Sequence, residues 1–269
     1  MTRSPMALLA AALALGLASC ARGGSTSAPP APASLLVFAA SSLTNAFDAL
    51  AVEFEAAHPG VEVVLIYGAS QALRTQIQEG AQADVFASAN WDEVRALADA
   101  GLVDEGSAGT FARNRLVVVL SPDNPAGLTS LRDLARPGLR LLVADPAVPA
   151  GKYTLRALDS LAADAAWGPE FRDAVLANIA SQEETVRAVL AKVELGEADA
   201  GFVYGSDASR AGQLLHLDLP PGTSPLAEYP IARVLSSPHS SLAQAFIDFA
   251  LSVAGQRILE SHGFLPATD

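Results

Sequence analysis

The sequence predicts an α/β protein of two lobes with a cleft between them, and three observations carry that expectation. Apolar runs of strand length alternate with segments whose apolar residues recur at helical spacing, the pattern of sheets covered by helices. The alternation runs from Leu35 nearly to the end of a 269-residue chain, which suits two lobes better than one sheet. Several junctions where a strand hands over to a helix carry small or hydroxylated residues. In open α/β sheets ligands bind beyond those carboxyl ends.

The elements follow in order. Leu35 to Ala40 reads as a buried strand, and Leu43, Ala46, Phe47, Leu50, Ala51 and Phe54 then share one helical face until His58-Pro59-Gly60 stops it. Val61 to Tyr67 is a second strand, followed by a helix marked by Leu73 and Ile77 that ends at Gly80. Ala83 to Ala87 is a third strand. Asn90 with Glu93 three residues later resembles a capping box and opens a helix that ends at Gly101. After an irregular stretch come a strand over Arg115–Leu120, a short helix over Ser130–Ala135, a strand over Leu139–Ala144 and a helix over Lys152–Leu161. Val186, Val189, Leu190 and Val193 line one face of a helix within Glu184–Leu195. Gly201–Tyr204 and Ile231–Leu235 read as strands, and Leu242–Leu259 as one closing helix. Alternation of this kind predicts parallel sheets. The expected lobes are 35–115 with 233–269, and 116–232.

The first twenty residues stand apart. Arg3 supplies a positive start, and Met6 to Leu17 is a small-apolar stretch too short for a membrane span of about 20 residues. It ends in Leu17-Ala18-Ser19-Cys20, which looks like a bacterial lipobox, and the resemblance implies cleavage before Cys20 and lipid on that cysteine. Cys20 is the only cysteine in the chain, so no internal disulfide can form. Residues 21–34, containing RGGSTSAPPAPAS, lack periodicity and large apolar side chains, so they read as a tether. A dozen such residues at about 3 Å each reach roughly 40 Å. Anchor, tether and domain in that order suggest an exported protein that works on solutes outside the cell membrane.

Composition removes several classes. A net charge of −12 with no basic run excludes an extended nucleic-acid surface. Four scattered histidines form no i, i+4 pair, and no Cys-x-x-Cys or glycine-rich phosphate motif occurs. No cofactor is expected. The carboxylates fall mainly on helical faces beside Lys or Arg, where solvation is the ordinary explanation.

Gly68-Ala69-Ser70-Gln71-Ala72 departs from the nucleophile elbow G-x-S-x-G at its last position. A hydrolase would need Ser70 with a later acid, Asp207 or Asp218, and a histidine from His216, His239 or His262. None of those histidines lies in a recognisable catalytic loop, so the alternative use of a helix-start serine, holding an anion, weighs more. Ser70 is not alone in that respect. Ala39-Ala40-Ser41-Ser42, the Asp145–Gly151 turn and Ser181–Thr185 each precede a helix, whose first N–H groups lack partners and whose dipole is positive there. Tyr204 ends a strand in FVYGSDA and offers a hydroxyl on a rigid ring. For any one of these, capping its own helix or filling the core is the ordinary role. Their joint occurrence favours a cradle.

FAASSLTNAF, YGASQALRTQI, ADVFASAN, DPAVPAGKY, EETVRAVLAKVELGEADAGFVYGSDA and a near-terminal GF together resemble the periplasmic molybdate-binding proteins of ABC transporters, over about Leu35 to Leu265. The resemblance implies a type II periplasmic binding protein fold, two α/β lobes joined by a two-segment hinge with a tetrahedral oxyanion held between them. It implies Ser42 and Ser70 as ligands from the first lobe through hydroxyl and N–H. From the second it implies Ala150 and Val186 through N–H and Tyr204 through its hydroxyl. The DPAVPAG turn is one residue shorter than the family's usual loop, which bears on Ala150, and Ser41 neighbours Ser42. The resemblance further implies molybdate or tungstate as ligand, an ABC permease as partner, a monomer and no enzymatic activity. A receptor of the same fold for sulfate or an organic anion is the alternative. A carboxylate would call for an arginine clamp, and Arg74, one turn into its helix, is the nearby candidate.

Overall fold

The computed structural model describes residues 33–211 and 214–268. The expected signal peptide, the lipidation site Cys20 and the tether up to residue 32 lie outside the described residues. Ala33 and Ser34, expected in the tether, instead open strand β1 (Ala33–Ala40) by pairing with Val61 and Glu62. The backbone N–H of Ala33 also donates to Gly60 at 2.8 Å, so the ladder extends two residues beyond the apolar run.

Two five-stranded sheets form the frame. The first contains β1, β2 (Val61–Gly68), β3 (Val85–Ala87), β4 (Gly109–Asn114) and β10 (Ala227–Arg233), in the order β2-β1-β3-β10-β4. The second contains β5 (Leu116–Leu120), β6 (Leu141–Ala144), β7 (Ile179–Glu183), β8 (Ala200–Tyr204) and β9 (His216–Asp218), in the order β7-β6-β8-β5-β9. The expectation of wholly parallel sheets is corrected here. β1 is parallel to β2 and β3, and β6 to β7 and β8, but β10 runs against β3 and β4, and β5 against β8 and β9. The reversed strand in each sheet is the first one reached after the chain changes lobe. A chain leaving one sheet at its carboxyl edge enters the other from the same side, and so must run away from that edge.

The chain changes lobe twice, once between Asn114 and Leu116 and again between Asp218 and Ala227. The second crossing precedes the expected boundary at 232/233, because β10 begins at Ala227 and its whole length pairs in the first sheet. Pro230 obscured this strand in the sequence. It sits where the register shifts, an irregularity that accommodates a residue lacking an N–H.

Helices cover both sheets. α1 (Thr44–Ala57) follows a 3-10 turn over Ser41–Leu43, so the helical path starts two residues before the expected Leu43. α1 buries Phe47 and Phe54, which meet Phe246 edge-on at 5.9 and 5.2 Å between centroids, while Phe111 of β4 closes on Phe47 at 5.6 Å. Burying each such ring contributes about 1.5–3 kcal/mol, so this cluster anchors α1 to the first sheet. α2 (Ser70–Gln78) and α3 (Trp91–Asp99) follow, and the Asn90 side chain caps α3 by accepting from Glu93 N–H at 3.2 Å. In the second lobe lie α4 (Pro149–Ala163), α5 (Gly168–Ala177), α6 (Val186–Glu194) and α7 (Gly205–Arg210). The single closing helix expected over Leu242–Leu259 is two, α8 (Ser240–Leu251) and α9 (Val253–Ser261). Ser252 takes an extended ψ of 163° and caps α9 by accepting from Gly255 N–H at 3.2 Å, and this cap breaks the periodic run. Among the described residues no helix is long and apolar enough to cross a membrane.

Candidate functional site

The parallel strands decide which residues can meet. In the first sheet Ala40 at the end of β1 pairs with Gly68 at the end of β2, so the 3-10 turn carrying Ser42 and the start of α2 at Ser70 leave the same edge side by side. In the second, Ala144 ending β6 pairs with Glu183 ending β7, and β8 lies on the other side of β6. The starts of α4 and α6 and the residue Tyr204 therefore share that sheet's carboxyl edge.

The two edges face one another. Gly68, Ala69, Gln71 and Ala72 line one wall of a cleft, and Asp145, Val148, Gln182, Glu184 and Thr185 line the other. These residues flank Ser70, Ala150 and Val186. Ser42 and Asn45 share a further cavity of about 130 Å³ with Arg187 and Ser206. Ser42 and Tyr204 are linked through Tyr229 of β10, which hydrogen-bonds Ser42 Oγ at 3.0 Å and packs its ring 5.7 Å from that of Tyr204.

Four of the expected ligand residues have an uncommitted backbone N–H. Ser42, Ser70, Ala150 and Val186 occupy the first or second position of a helical turn, and their N–H groups have no backbone acceptor among the described residues. Ser70, 1% exposed, uses its hydroxyl to accept from Ala89 N–H at 3.0 Å, which leaves its O–H proton free to donate. Thr185 caps α6 by accepting from Ala188 N–H, so that cap does not consume the Val186 N–H. The Tyr204 hydroxyl is buried without a hydrogen-bond partner. Burial raises its pKa well above the ordinary phenol value, with Tyr229, Tyr153 and Asp207 adding in the same sense, so it remains a neutral donor. Each of these groups has a hydrogen-bond donor to offer.

The PAG turn is shaped by close approach. Pro149 occupies the first helical position, which needs no N–H. A Cβ on Gly151 would overlap the backbone carbonyl oxygens of Ala144 and Asp145, so glycine is what lets α4 begin against the exit of β6. The short turn thus sets Ala150 at the second helical position, with 2% exposure.

Ser70 has no catalytic company. Its hydroxyl is engaged by a backbone N–H and by no histidine. Of the candidate acids, Asp207 pairs with Arg187 (3.1 Å) and Asp218 lies on the edge strand β9. Burial pushes Asp207 up to about 6, with Arg187 opposing the shift. Two other readings are corrected. Arg74 is not free to act as a carboxylate clamp, because its Nε pairs with Glu93 at 2.7 Å. Nor are the carboxylates all solvated. Asp84, Glu93, Glu183 and Asp207 are buried, and each is met by an N–H, a hydroxyl or a cation.

The residues that support the cluster escaped the sequence reading. Tyr229 holds Ser42 and Ala89 holds Ser70. Asn114, at the first crossing, donates to Ser206 Oγ at 2.8 Å, and Arg187 reaches Asn45 at 3.0 Å. These contacts span 19 to 187 residues, and no local periodicity encodes them. Only the side chain of Arg187, immediately after Val186 in a helix start, was a visible cue.

Comparison with known proteins gives the family and the fold. A profile of bacterial extracellular solute-binding proteins matches residues 35–265. The chain is 37% identical over 262 residues to a molybdate-binding protein of Mycobacterium tuberculosis, covering 96% of this chain and 95% of that one. Among solved structures, the periplasmic molybdate-binding protein of Azotobacter vinelandii superposes with a TM-score of 0.75 at 24% identity, over 86% of this chain and 98% of that one. The sulfate-binding protein SubI of M. tuberculosis superposes with a TM-score of 0.78, also at 24% identity, over 88% of each. At that identity the two structures speak for the fold alone.

Proposed function

The chain belongs to the bacterial extracellular solute-binding proteins, and from that premise we propose that it captures molybdate, and tungstate with it, for delivery to an ABC permease. One observation supports the reading: the Tyr204 hydroxyl is buried and unpartnered among the described residues, at the same sheet edge as the starts of α4 and α6. A fully deprotonated tetrahedral dianion only accepts hydrogen bonds, so a cluster of neutral donors suits it. A phosphate that carries a proton needs an acceptor, and the mismatch costs about 1–3 kcal/mol. Molybdate and sulfate share charge and shape, so the choice between them rests on cavity size. Tungstate is nearly isosteric with molybdate. Closing the lobes over the ion produces the form that a permease recognises.

The reading extends to the amino terminus. Cleavage before Cys20 and lipid on its sulfur would hold the protein at the outer face of a membrane, with residues 21–32 as the lead. Cys20→Ala would then move the protein from the membrane fraction to the soluble one. A sulfate-binding protein shares this fold, and sulfate is the second reading to be tested. Isothermal titration of the fragment starting at residue 21 with molybdate, tungstate, sulfate and phosphate tests both. Tight 1:1 binding of the first two, with weak response to the others, is the expected result. Preference for sulfate would transfer the assignment, and silence with all four would show that the helix starts are caps and not ligands.

A further inference from the structure

Glu93 lies in the first turn of α3 in the first lobe, with its side chain only 6% exposed. One carboxylate oxygen accepts from Arg74 Nε at 2.7 Å, and Arg74 stands one turn beyond Ser70 on α2. The other oxygen meets Lys152 Nζ at 3.2 Å, and Lys152 stands two residues beyond Ala150 on α4 of the opposite lobe. Asp92 adds a looser contact to the same ammonium at 3.5 Å. One buried carboxylate therefore joins the helix that begins at Ser70 to the helix that begins at Ala150.

We infer that Glu93 and Lys152 form a latch that holds the cleft closed over its ligand, with Glu93 as a positioning residue for Ser70 and Ala150. The inference rests on the oxyanion reading and adds to it the groups that set how long the ion stays. The Arg74–Glu93 contact lies within one lobe and survives opening, whereas the Lys152–Glu93 contact exists only when the lobes meet. Partial burial limits screening by solvent, and the carboxylate is already held in place by Arg74 and the start of α3. Little conformational freedom is lost on the Glu93 side when the lysine arrives. The latch also neutralises Lys152, so the cation is not left to bind the anion as an ion pair.

Stopped-flow and titration with molybdate on the wild type, Lys152→Met and Glu93→Gln test this. A latch slows departure, so both variants raise the dissociation rate and the Kd about fivefold with little change in association rate. The melting temperature of ligand-free Lys152→Met stays that of the wild type. If Lys152 instead acts by attracting the anion through space, Lys152→Met lowers the association rate, and Glu93→Gln, which removes a negative charge, tightens binding. That pattern overturns the latch, as does unchanged kinetics in Lys152→Met, which also decides the matter should Glu93→Gln fold poorly. Wild-type protein that binds none of molybdate, tungstate and sulfate overturns the oxyanion reading and the latch with it. Wild-type binding with unaffected variants overturns the latch alone.

Discussion

A buried hydroxyl without a partner costs free energy until something accepts its proton, and Tyr204 is in that position among the described residues. Tyr204→Phe is expected to weaken molybdate binding about tenfold, equivalent to about 1.4 kcal/mol, while leaving the ligand-free melting temperature unchanged or slightly raised. Ser70→Ala should behave differently. Its hydroxyl accepts from Ala89 N–H, so the substitution strands a buried donor and lowers stability by about 1–3 kcal/mol as well as affinity. Titration calorimetry together with thermal melts separates the two. Asp207 gives a prediction in pH. Its folded pKa of about 6 lies above the ordinary carboxylate value of 3.8, so its contribution to stability is full below about pH 4 and is lost as the pH rises through 6. The stability advantage of the wild type over Asp207→Asn should therefore shrink between pH 4 and 7, as measured by melts at both ends. At this scale the sequence exposed which side chains could donate. It did not expose that Tyr229 and Ala89 would hold two of them.

Helix starts are the elements that present the donors, and their backbone can be edited without removing them. Val186 is the first residue of α6, after Thr185 in an extended conformation with φ −145° and ψ 154°. That is the conformation favoured before proline, and proline is itself favoured at a first helical position. Val186→Pro is thus expected to keep the helix, checked by circular dichroism, while deleting one N–H and weakening oxyanion binding about tenfold. Unchanged affinity would remove the Val186 N–H from the site. Helix starts were legible because Ser, Thr, Asn and Pro-Ala-Gly mark them locally. The break at Ser252 was less so, because the apolar spacing continues across it and the cap is one serine.

Under the proposed function, closure of two lobes on an ion would couple ligand affinity to the stability of the whole molecule. A ligand bound only by the folded, closed form raises the melting temperature with its concentration. Molybdate and tungstate are expected to raise it by similar amounts, and phosphate at the same concentration by much less, in thermal-shift measurements on the fragment from residue 21. Equal shifts with all the anions would point to a general ionic effect. Lys152 to Glu93 and Arg187 to Asn45 are contacts that join the two lobes.

The sequence by itself determined the α/β class, most element positions, the strand-to-helix junctions and the donor types placed at them, because each is written in the spacing and chemistry of neighbouring residues. Strand direction, lobe membership and pairing across the cleft were decided only in the tertiary structure. β10 shows why. Ile231 to Arg233 read as a strand wherever they pair, and only the edge by which the chain re-enters the first sheet makes β10 antiparallel and a member of that lobe. Glu93 shows the same for charge. In the sequence it reads as the Glu of a capping box with Asn90, and it becomes a buried link because Arg74 and Lys152 arrive from two other helices. Such partners are set by packing over long separations, which no local pattern records.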